Sequence, residues 1–237
     1  MNYPHEFRGL VLLCALTAAA APSAGPAFEN EQLRYNINWP SGLSLGEAQF
    51  SASSTKAAED APSHQRFGFD IDAGIPGFTV KDRYQSETTV GFCSAQFHES
   101  VKHGAKTAEE NLTFDSHAGT VTREVAGGSK SEIPASSCAR DALAFLYYTR
   151  HELSEGRIPA SQTVFLGAQY EVRLEFAGTQ SIQVLDKPQQ ADRFTASVKG
   201  PKSSIAFDIF FLKDRARTPA LVRVPLPMGT FSMELAQ

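Results

Sequence analysis

Two histidines and a glutamate form the most suggestive metal-binding pattern in the sequence. His98, Glu99 and His103 resemble the motif in which two histidines on one helix face bind zinc beside a glutamate base. Here the histidines are five positions apart, so on a helix they would point about 140° away from each other. The segment also reads as a strand rather than a helix. We therefore predict no metal site.

Other catalytic patterns are missing from the sequence. It contains no G-x-S-x-G, no P-loop and no G-x-G-x-x-G. The adjacent carboxylates of Glu109 and Glu110 would face opposite sides of a strand, so they cannot act as an acid–base pair. We predict no catalytic residue and no cofactor, and we interpret the protein as a non-enzyme.

Several charged residues are candidates for structural ion pairs. Asp214 and Arg217 lie between an apolar strand and a Thr-Pro step, and the favoured interpretation is a charged hairpin turn; the alternative is a turn in which Asp214 pairs with an arginine such as Arg217. Arg83 on a strand, and Asp141 and Arg150 in a helical segment, are further candidates. Removing one partner of a buried pair is costly, so these roles would be architectural.

The elements that carry these residues are mostly strands. Apolar and polar residues alternate over long segments, for example at Tyr170, Val172, Leu174 and Phe176. Such alternation places apolar side chains on one face of a sheet and polar ones on the other, which is typical of antiparallel sheets. Glycine- and proline-rich turns follow at short intervals, so about a dozen strands without intervening helices predict a meander, barrel or sandwich.

One segment departs from the alternation. Residues 138–153 carry apolar residues at helical spacing, with Ser137 as a candidate N-cap and Gly156 after the end. We predict one helix here, packed at the mouth or edge of the sheet.

Seventeen phenylalanines accompany the strand pattern. In a β-rich chain they mostly fill a core, but a barrel of this size can also enclose an apolar cavity. The residues that would line such a cavity are Tyr35, Trp39, Phe69, Phe78, Tyr84, Phe207 and Phe211.

Residues 1–24 are predicted to be a signal peptide. A short apolar stretch follows Arg8, and small residues between positions 20 and 27 offer cleavage sites.

The exported chain would keep Cys93 and Cys138, which are expected to form one disulfide that closes a loop of about 45 residues and contributes roughly 3–4 kcal/mol. The alternative is two buried thiols.

Composition excludes several classes of protein. The chain has 237 residues, 42% of them hydrophobic and 20% charged, with a net charge of −4. These values do not fit a disordered chain, and a pI near 5.9 gives no basic footprint for nucleic acid. No apolar run approaches the roughly 18 residues of a membrane-spanning helix, so we expect no transmembrane span in the exported chain. The remainder reads as a single domain over residues 28–237.

The order of short motifs resembles a bacterial exported family, known as domain of unknown function 3108. The matching segments are residues 35–39, 45–48, 80–84, 97–100, 113–115, 141–150, 212–219 and 229–235. The late tryptophan usual in that family is absent, and Phe210 and Phe211 occupy this region. The resemblance implies export from a bacterial cell and brings no established activity.

These observations predict an all-β, strongly curved antiparallel meander that forms a closed or half-open barrel with one helix. We expect a periplasmic or extracellular protein of the cell envelope that binds an apolar or amphipathic ligand, such as a lipid, in its interior. The alternative is a structural or interaction protein of the envelope with a filled core, an envelope protein as partner and no small-molecule ligand. Nucleic acid is not expected as a partner.

Overall fold

A computed structural model describes residues 28–55, 64–89, 91–201, 203–227 and 229–236. The predicted signal peptide and its cleavage region lie outside the described residues. The helix within the described part of the chain is too short to cross a membrane.

Within these ranges the chain forms fifteen strands and one helix. In chain order they are β1 (Glu31–Asn38), β2 (Ser44–Thr55), β3 (His64–Ile75), β4 (Phe78–Thr89), β5 (Ser94–His103), β6 (Lys106–Asp115), β7 (Thr120–Val125), β8 (Lys130–Pro134), β9 (Arg140–Asp141), α1 (Ala142–Ser154), β10 (Gln162–Leu166), β11 (Ala168–Val184), β12 (Lys187–Lys199), β13 (Ser204–Leu212), β14 (Pro219–Leu226) and β15 (Gly229–Leu235).

All fifteen strands belong to one sheet, in the order β8 to β1, then β15 to β9. Two meanders, β1–β8 and β10–β15, are joined where β1 pairs with β15, and only the short β9–β10 ladder is parallel. The two edges, β8 and β9, are not paired with each other, so the sheet is open. The predicted antiparallel, barrel-like meander is confirmed, in its half-open form.

Side-chain alternation decides which face of the sheet is inside. On β13, Phe207, Ile209 and Phe211 pack toward the helix, whereas Asp208 and Phe210 point to the other face. On the first meander the inner face carries aromatic residues, and the Phe67 ring stacks on Tyr147 of α1 at 3.9 Å. The sheet therefore curves around α1 and buries its apolar side against it.

The helix closes one end of the curved sheet. Its start is held near the first residue of β5, where Ser94 bonds Asp141. Further along, Arg150 reaches Glu31 at the start of β1. We call this the helix end. At the opposite end the hairpins β1–β2, β3–β4, β12–β13 and β14–β15 turn with no helix across them, and we call it the open end.

The helix begins four residues later than the predicted residue 138. Arg140 and Asp141 instead form β9, which pairs with Val164 and Phe165 of β10. The cap is Asp141, not Ser137, because the Asp141 carboxylate accepts from the amides of Leu143 and Ala144.

Cys93 and Cys138 are joined in a disulfide, with their Cα atoms 4.7 Å apart. Cys93 lies in the turn before β5, and Cys138 lies just before β9 and α1. The bond therefore ties the helix to the first meander at the helix end.

Candidate functional site

An apolar cavity of about 560 Å³ lies between α1 and the inner face of the sheet. Its walls come from β2 and β3 of the first meander, from β10–β15, and from the helix. No charged residue lines it within the described ranges, and only Thr149 and Tyr170 bring a side-chain polar atom. Cavities of this size and character hold small apolar molecules.

The helix supplies the floor of the cavity. Ala142, Phe145, Leu146 and Thr149 line it, and this spacing of three, four and seven positions places them on one helix face. The Thr149 Oγ1 is buried and has no hydrogen-bond partner among the described residues.

Strand β13 supplies one full wall. Every second residue from Ile205 to Phe211 lines the cavity, so it extends about 20 Å along this strand at about 3.3 Å per residue. Ile205 lies nearest the open end and is also exposed to solvent. The cavity therefore reaches the surface at the open end.

Three of the seven residues predicted to line a cavity do so: Phe69, Phe207 and Phe211. The other four lie elsewhere and do not line it. Tyr35 is fully buried, and its hydroxyl donates to the Pro219 carbonyl at 2.7 Å. Tyr84 faces the interior, where its hydroxyl bonds Asp82 at 3.4 Å.

Trp39 and Phe78 both lie at the open end. Trp39 packs edge-to-face on Phe231 with ring centroids 4.9 Å apart, and Phe78 is exposed at the start of β4. Neither residue is among those that line the cavity.

The lining residues that the sequence prediction missed come mainly from β11, β14 and the helix. Val172 and Leu174 share the alternation that predicted β11, so the strand pattern placed them on one face. It could not show that this face lines a cavity rather than a filled core, because that depends on the distance between the helix and the sheet.

Arg150, one of the predicted ion-pair residues, is fully buried. Its Nη1 and Nη2 donate to Glu31 at 2.6 and 2.5 Å, and its Nε donates to the Ala216 carbonyl at 3.0 Å. The guanidinium also lies over the Phe28 ring, 4.4 Å from its centroid. Burial lowers the pKa of Arg150, but the hydrogen bonds and charge of Glu31 outweigh burial and raise it.

Asp141 forms no ion pair with a described residue, unlike the prediction. Its carboxylate accepts from the hydroxyls of Ser86 and Ser94, each at 2.6 Å, in addition to the two helix amides. Burial raises the pKa of Asp141, although these hydrogen bonds act in the opposite direction. The residue fastens the start of α1 to β4 and β5.

Asp214 and Arg217 lie in a charged turn, and the alternative in which their side chains pair with each other is not observed. Asp214 accepts from the backbone amide and hydroxyl of Thr218 at 2.9 and 2.6 Å, which shapes the turn. Arg217 instead pairs with Asp192 at 2.9 Å and donates to the Leu153 carbonyl at the end of the helix. Burial alone would raise the pKa of Asp192, but hydrogen bonds from Thr179, Arg217 and Lys213 lower it.

Arg83 pairs with Asp70 at 2.7 Å on the outer face, where both side chains are exposed. The prediction of a partly buried pair is wrong for Arg83, since its parity on β4 turns it away from the helix. Next to it, Lys81 pairs with Asp72 at 2.9 Å. Together these pairs line an open depression of about 870 Å³ whose charges are largely matched.

A cluster of polar residues lies on the inner face of β4–β7. Asp82 contacts His103 at 3.0 Å, and Glu110 accepts from Arg123 at 2.5 Å. Burial raises the pKa of Glu99, which lies between them, and the charges of Glu110 and Asp82 add to this. In the described part of the chain, no three His, Cys, Asp or Glu side chains are grouped to hold a metal ion.

A solved structure shares the fold of this chain. A beta-barrel-like protein of domain of unknown function DUF1849 from Brucella abortus superposes with a TM-score of 0.59 at 9% identity, over 89% of this chain and 97% of that chain. A protein from Bacteroides fragilis described as exported, with a YmcC-like fold, gives a TM-score of 0.33 at 10% identity, over 89% of this chain and 95% of that chain.

No curated protein is similar enough in sequence to match this chain. A family model does match: it covers residues 34–236 and is described as a protein of unknown function, DUF3108. This range includes the helix, the residues that line the cavity, and all the strands except the first three residues of β1. The chain belongs to the DUF3108 family.

Proposed function

We propose that this protein is a non-enzymatic binding protein that holds the apolar part of an amphipathic ligand in the cavity between α1 and β10–β15. The observation that carries the proposal is the cavity itself, which is about 560 Å³ in volume and is lined without a charged group by described residues. Its size falls within the usual range of ligand sites, about 300–1,000 Å³.

The lining chemistry sets the class of ligand. Aliphatic and aromatic side chains offer dispersion contacts and no charge, so a charged or strongly polar molecule would lose its hydration without compensation. A single apolar chain or a ring system suits the elongated wall along β13. A polar group on the same ligand would remain near the open end, where the cavity reaches solvent.

A filled core is the alternative architecture for a structural protein. Small side chains at Ala142 and Ala196 face the cavity, where larger ones would fill it. Protein interiors are otherwise packed with few voids larger than a water molecule, so a space of this size favours a binding role.

The test compares two alanine-to-phenylalanine substitutions on neighbouring strands. Ala196 on β12 is buried and lines the cavity, whereas Ala206 on β13 is exposed on the opposite face. The probe is a fluorescent fatty acid, dansyl-aminoundecanoic acid, titrated into the purified protein. We expect Ala196→Phe to weaken probe binding at least tenfold and Ala206→Phe to leave it unchanged.

A third variant is the control in case Ala196→Phe does not fold. Val198→Phe also fills the cavity, but at a half-buried position closer to the open end. Melting temperatures are recorded for all three variants. The proposal fails if the wild-type protein does not bind the probe, or if folded Ala196→Phe and Val198→Phe bind it as Ala206→Phe does.

A further inference from the structure

Exposed apolar side chains are concentrated at the open end. Of the eight large apolar residues that are exposed in the described part of the chain, five lie at this end, between 37% and 66% exposed. We call them the apolar rim: Leu43, Ile75, Phe78, Ile205 and Leu226.

The apolar rim extends over four neighbouring hairpins of the sheet. Its residues lie in or beside the turns of four hairpins, β3–β4, β1–β2, β14–β15 and β12–β13, which are neighbours in the strand order. Two of these hairpins touch directly, because Trp39 packs on Phe231. Exposed apolar groups gathered on one surface mark an interaction site more often than chance exposure does.

Acidic residues are also distributed unevenly between the turns of the two ends. The four rim turns and the neighbouring β5–β6 turn, each taken with two flanking residues, contain no Asp or Glu in the sequence. Lys102, Lys106 and Lys199 flank these turns, are exposed, and form no ion pair with a described residue. The turns at the helix end, by contrast, carry both signs of charge: Asp186 lies beside Lys187, and Asp214 lies between Lys213 and Arg215.

We propose that the open end docks on the surface of a lipid bilayer that contains anionic lipids. The apolar rim would enter the interface between head groups and acyl chains, while the lysines face the lipid phosphates. Trp39, beside the rim, is the type of side chain that favours this interface.

The cavity opens at the proposed docking surface. Ile205 belongs to the apolar rim and also lines the cavity, so a docked protein would place the cavity mouth against the bilayer. An acyl chain could then pass between membrane and cavity without crossing water. This part of the inference rests on the proposed function, whereas docking itself does not require the cavity to bind anything.

The experiment is a vesicle flotation assay with two matched double variants. Leu43→Ser/Leu226→Ser removes two rim residues, and Ile158→Ser/Leu185→Ser removes two comparably exposed apolar residues far from the rim. Vesicles contain either phosphatidylcholine alone or equal parts of phosphatidylcholine and phosphatidylglycerol. Circular dichroism shows that each variant is folded.

We expect the wild-type protein to float with the anionic vesicles more than with neutral ones, and to do so less at high salt. The rim variant should lose at least fivefold in apparent affinity, and the distal variant should behave as wild type. Equal binding by the two variants, or no binding by wild type, would overturn the docking proposal. Binding of the dansyl fatty acid in solution is measured separately, so that a failure of membrane docking is distinguished from a failure of the cavity to bind its ligand. Ala196→Phe, which fills the cavity, should still float with the anionic vesicles.

Discussion

Arg150 of α1 holds the carboxylate of Glu31 through two parallel hydrogen bonds, although the two residues lie 119 positions apart in the chain. The pair joins the helix to the first residue of β1. The Arg150 side chain is only 1% exposed and that of Glu31 only 12%, so the pair is largely shielded from water. The contact thus pins the helix across the end of the sheet.

Removing the charge of Glu31 should destabilise the protein strongly. In Glu31→Gln the guanidinium of Arg150 stays buried without its counter-charge, which costs about 3–5 kcal/mol in comparable sites. Urea unfolding followed by circular dichroism measures this loss.

Two variants control that measurement. Asp70→Asn breaks the exposed Arg83–Asp70 pair and should cost less than about 1 kcal/mol. Combining Glu31→Gln with Arg150→Met should cost less than the sum of the single changes, since no buried charge remains. Equal losses in the free energy of unfolding for Glu31→Gln and Asp70→Asn would show that the buried pair contributes no more to stability than the exposed pair.

The disulfide should contribute about 3–4 kcal/mol to stability, because it closes a 45-residue loop in the unfolded chain. The variant to test is Cys93→Ser/Cys138→Ser, and the measurement is the free energy of unfolding in urea. A reducing agent should lower the stability of the wild-type protein by a similar amount and leave the double variant unchanged. An unchanged free energy of unfolding of the wild-type protein in the reducing agent would contradict this expectation.

Two substitutions at Asp141 should distinguish the effect of its hydrogen bonds on stability from the effect of its charge. Asp141→Ala removes the helix cap and leaves the buried hydroxyls of Ser86 and Ser94 without the carboxylate to which they donate, at a cost of about 2 kcal/mol or more. Asp141→Asn keeps an acceptor for the helix amides and should cost less at neutral pH.

The pH dependence at Asp141 follows from its raised pKa. The folded state keeps the proton to higher pH than the unfolded state does, so ionisation lowers stability as pH rises above about 4. Asp141→Asn cannot ionise and therefore lacks this loss. Its stability relative to the wild-type protein should increase as the pH rises above about 4. Parallel stability curves for the two proteins would refute the expected ionisation.

Tyr35→Phe should alter stability in alkaline solution. Burial raises the pKa of the Tyr35 hydroxyl well above its usual range. The unfolded chain loses this proton above about pH 10 while the folded protein keeps it, which costs about 1.4 kcal/mol of stability per pH unit. The variant should lose about 1 kcal/mol at neutral pH and show a flatter decline above pH 10. Unfolding curves between pH 8 and 12 provide the test, and an unchanged slope would count against it.

Local patterns were sufficient to predict much of the fold. Alternation on β13, from Ile205 to Phe211, identified a strand with one apolar face, and helical spacing around Leu143 and Leu146 located the single helix. These features depend on neighbouring residues only. The resemblance in motif order pointed to the family whose model matches residues 34–236.

Long-range partners could not be predicted in the same way. Nothing near Arg150 in the sequence indicates Glu31, and nothing near Arg217 indicates Asp192. Tyr35 has the parity of a lining residue, yet the close approach of Pro219 gives its hydroxyl a partner in the core. Each of these outcomes depends on how far the sheet curves, which alternation does not encode.

The pairing of β1 with β15 has a consequence for the order of folding. Its partners, from Tyr35 with Leu235 to Asn38 with Ser232, are about 200 positions apart, whereas the other antiparallel ladders join successive strands. Each meander can therefore assemble hairpin by hairpin, and the seam between them closes late. Because residues of both meanders line the cavity, a chain that has not yet closed this seam has strands but no interior to fill.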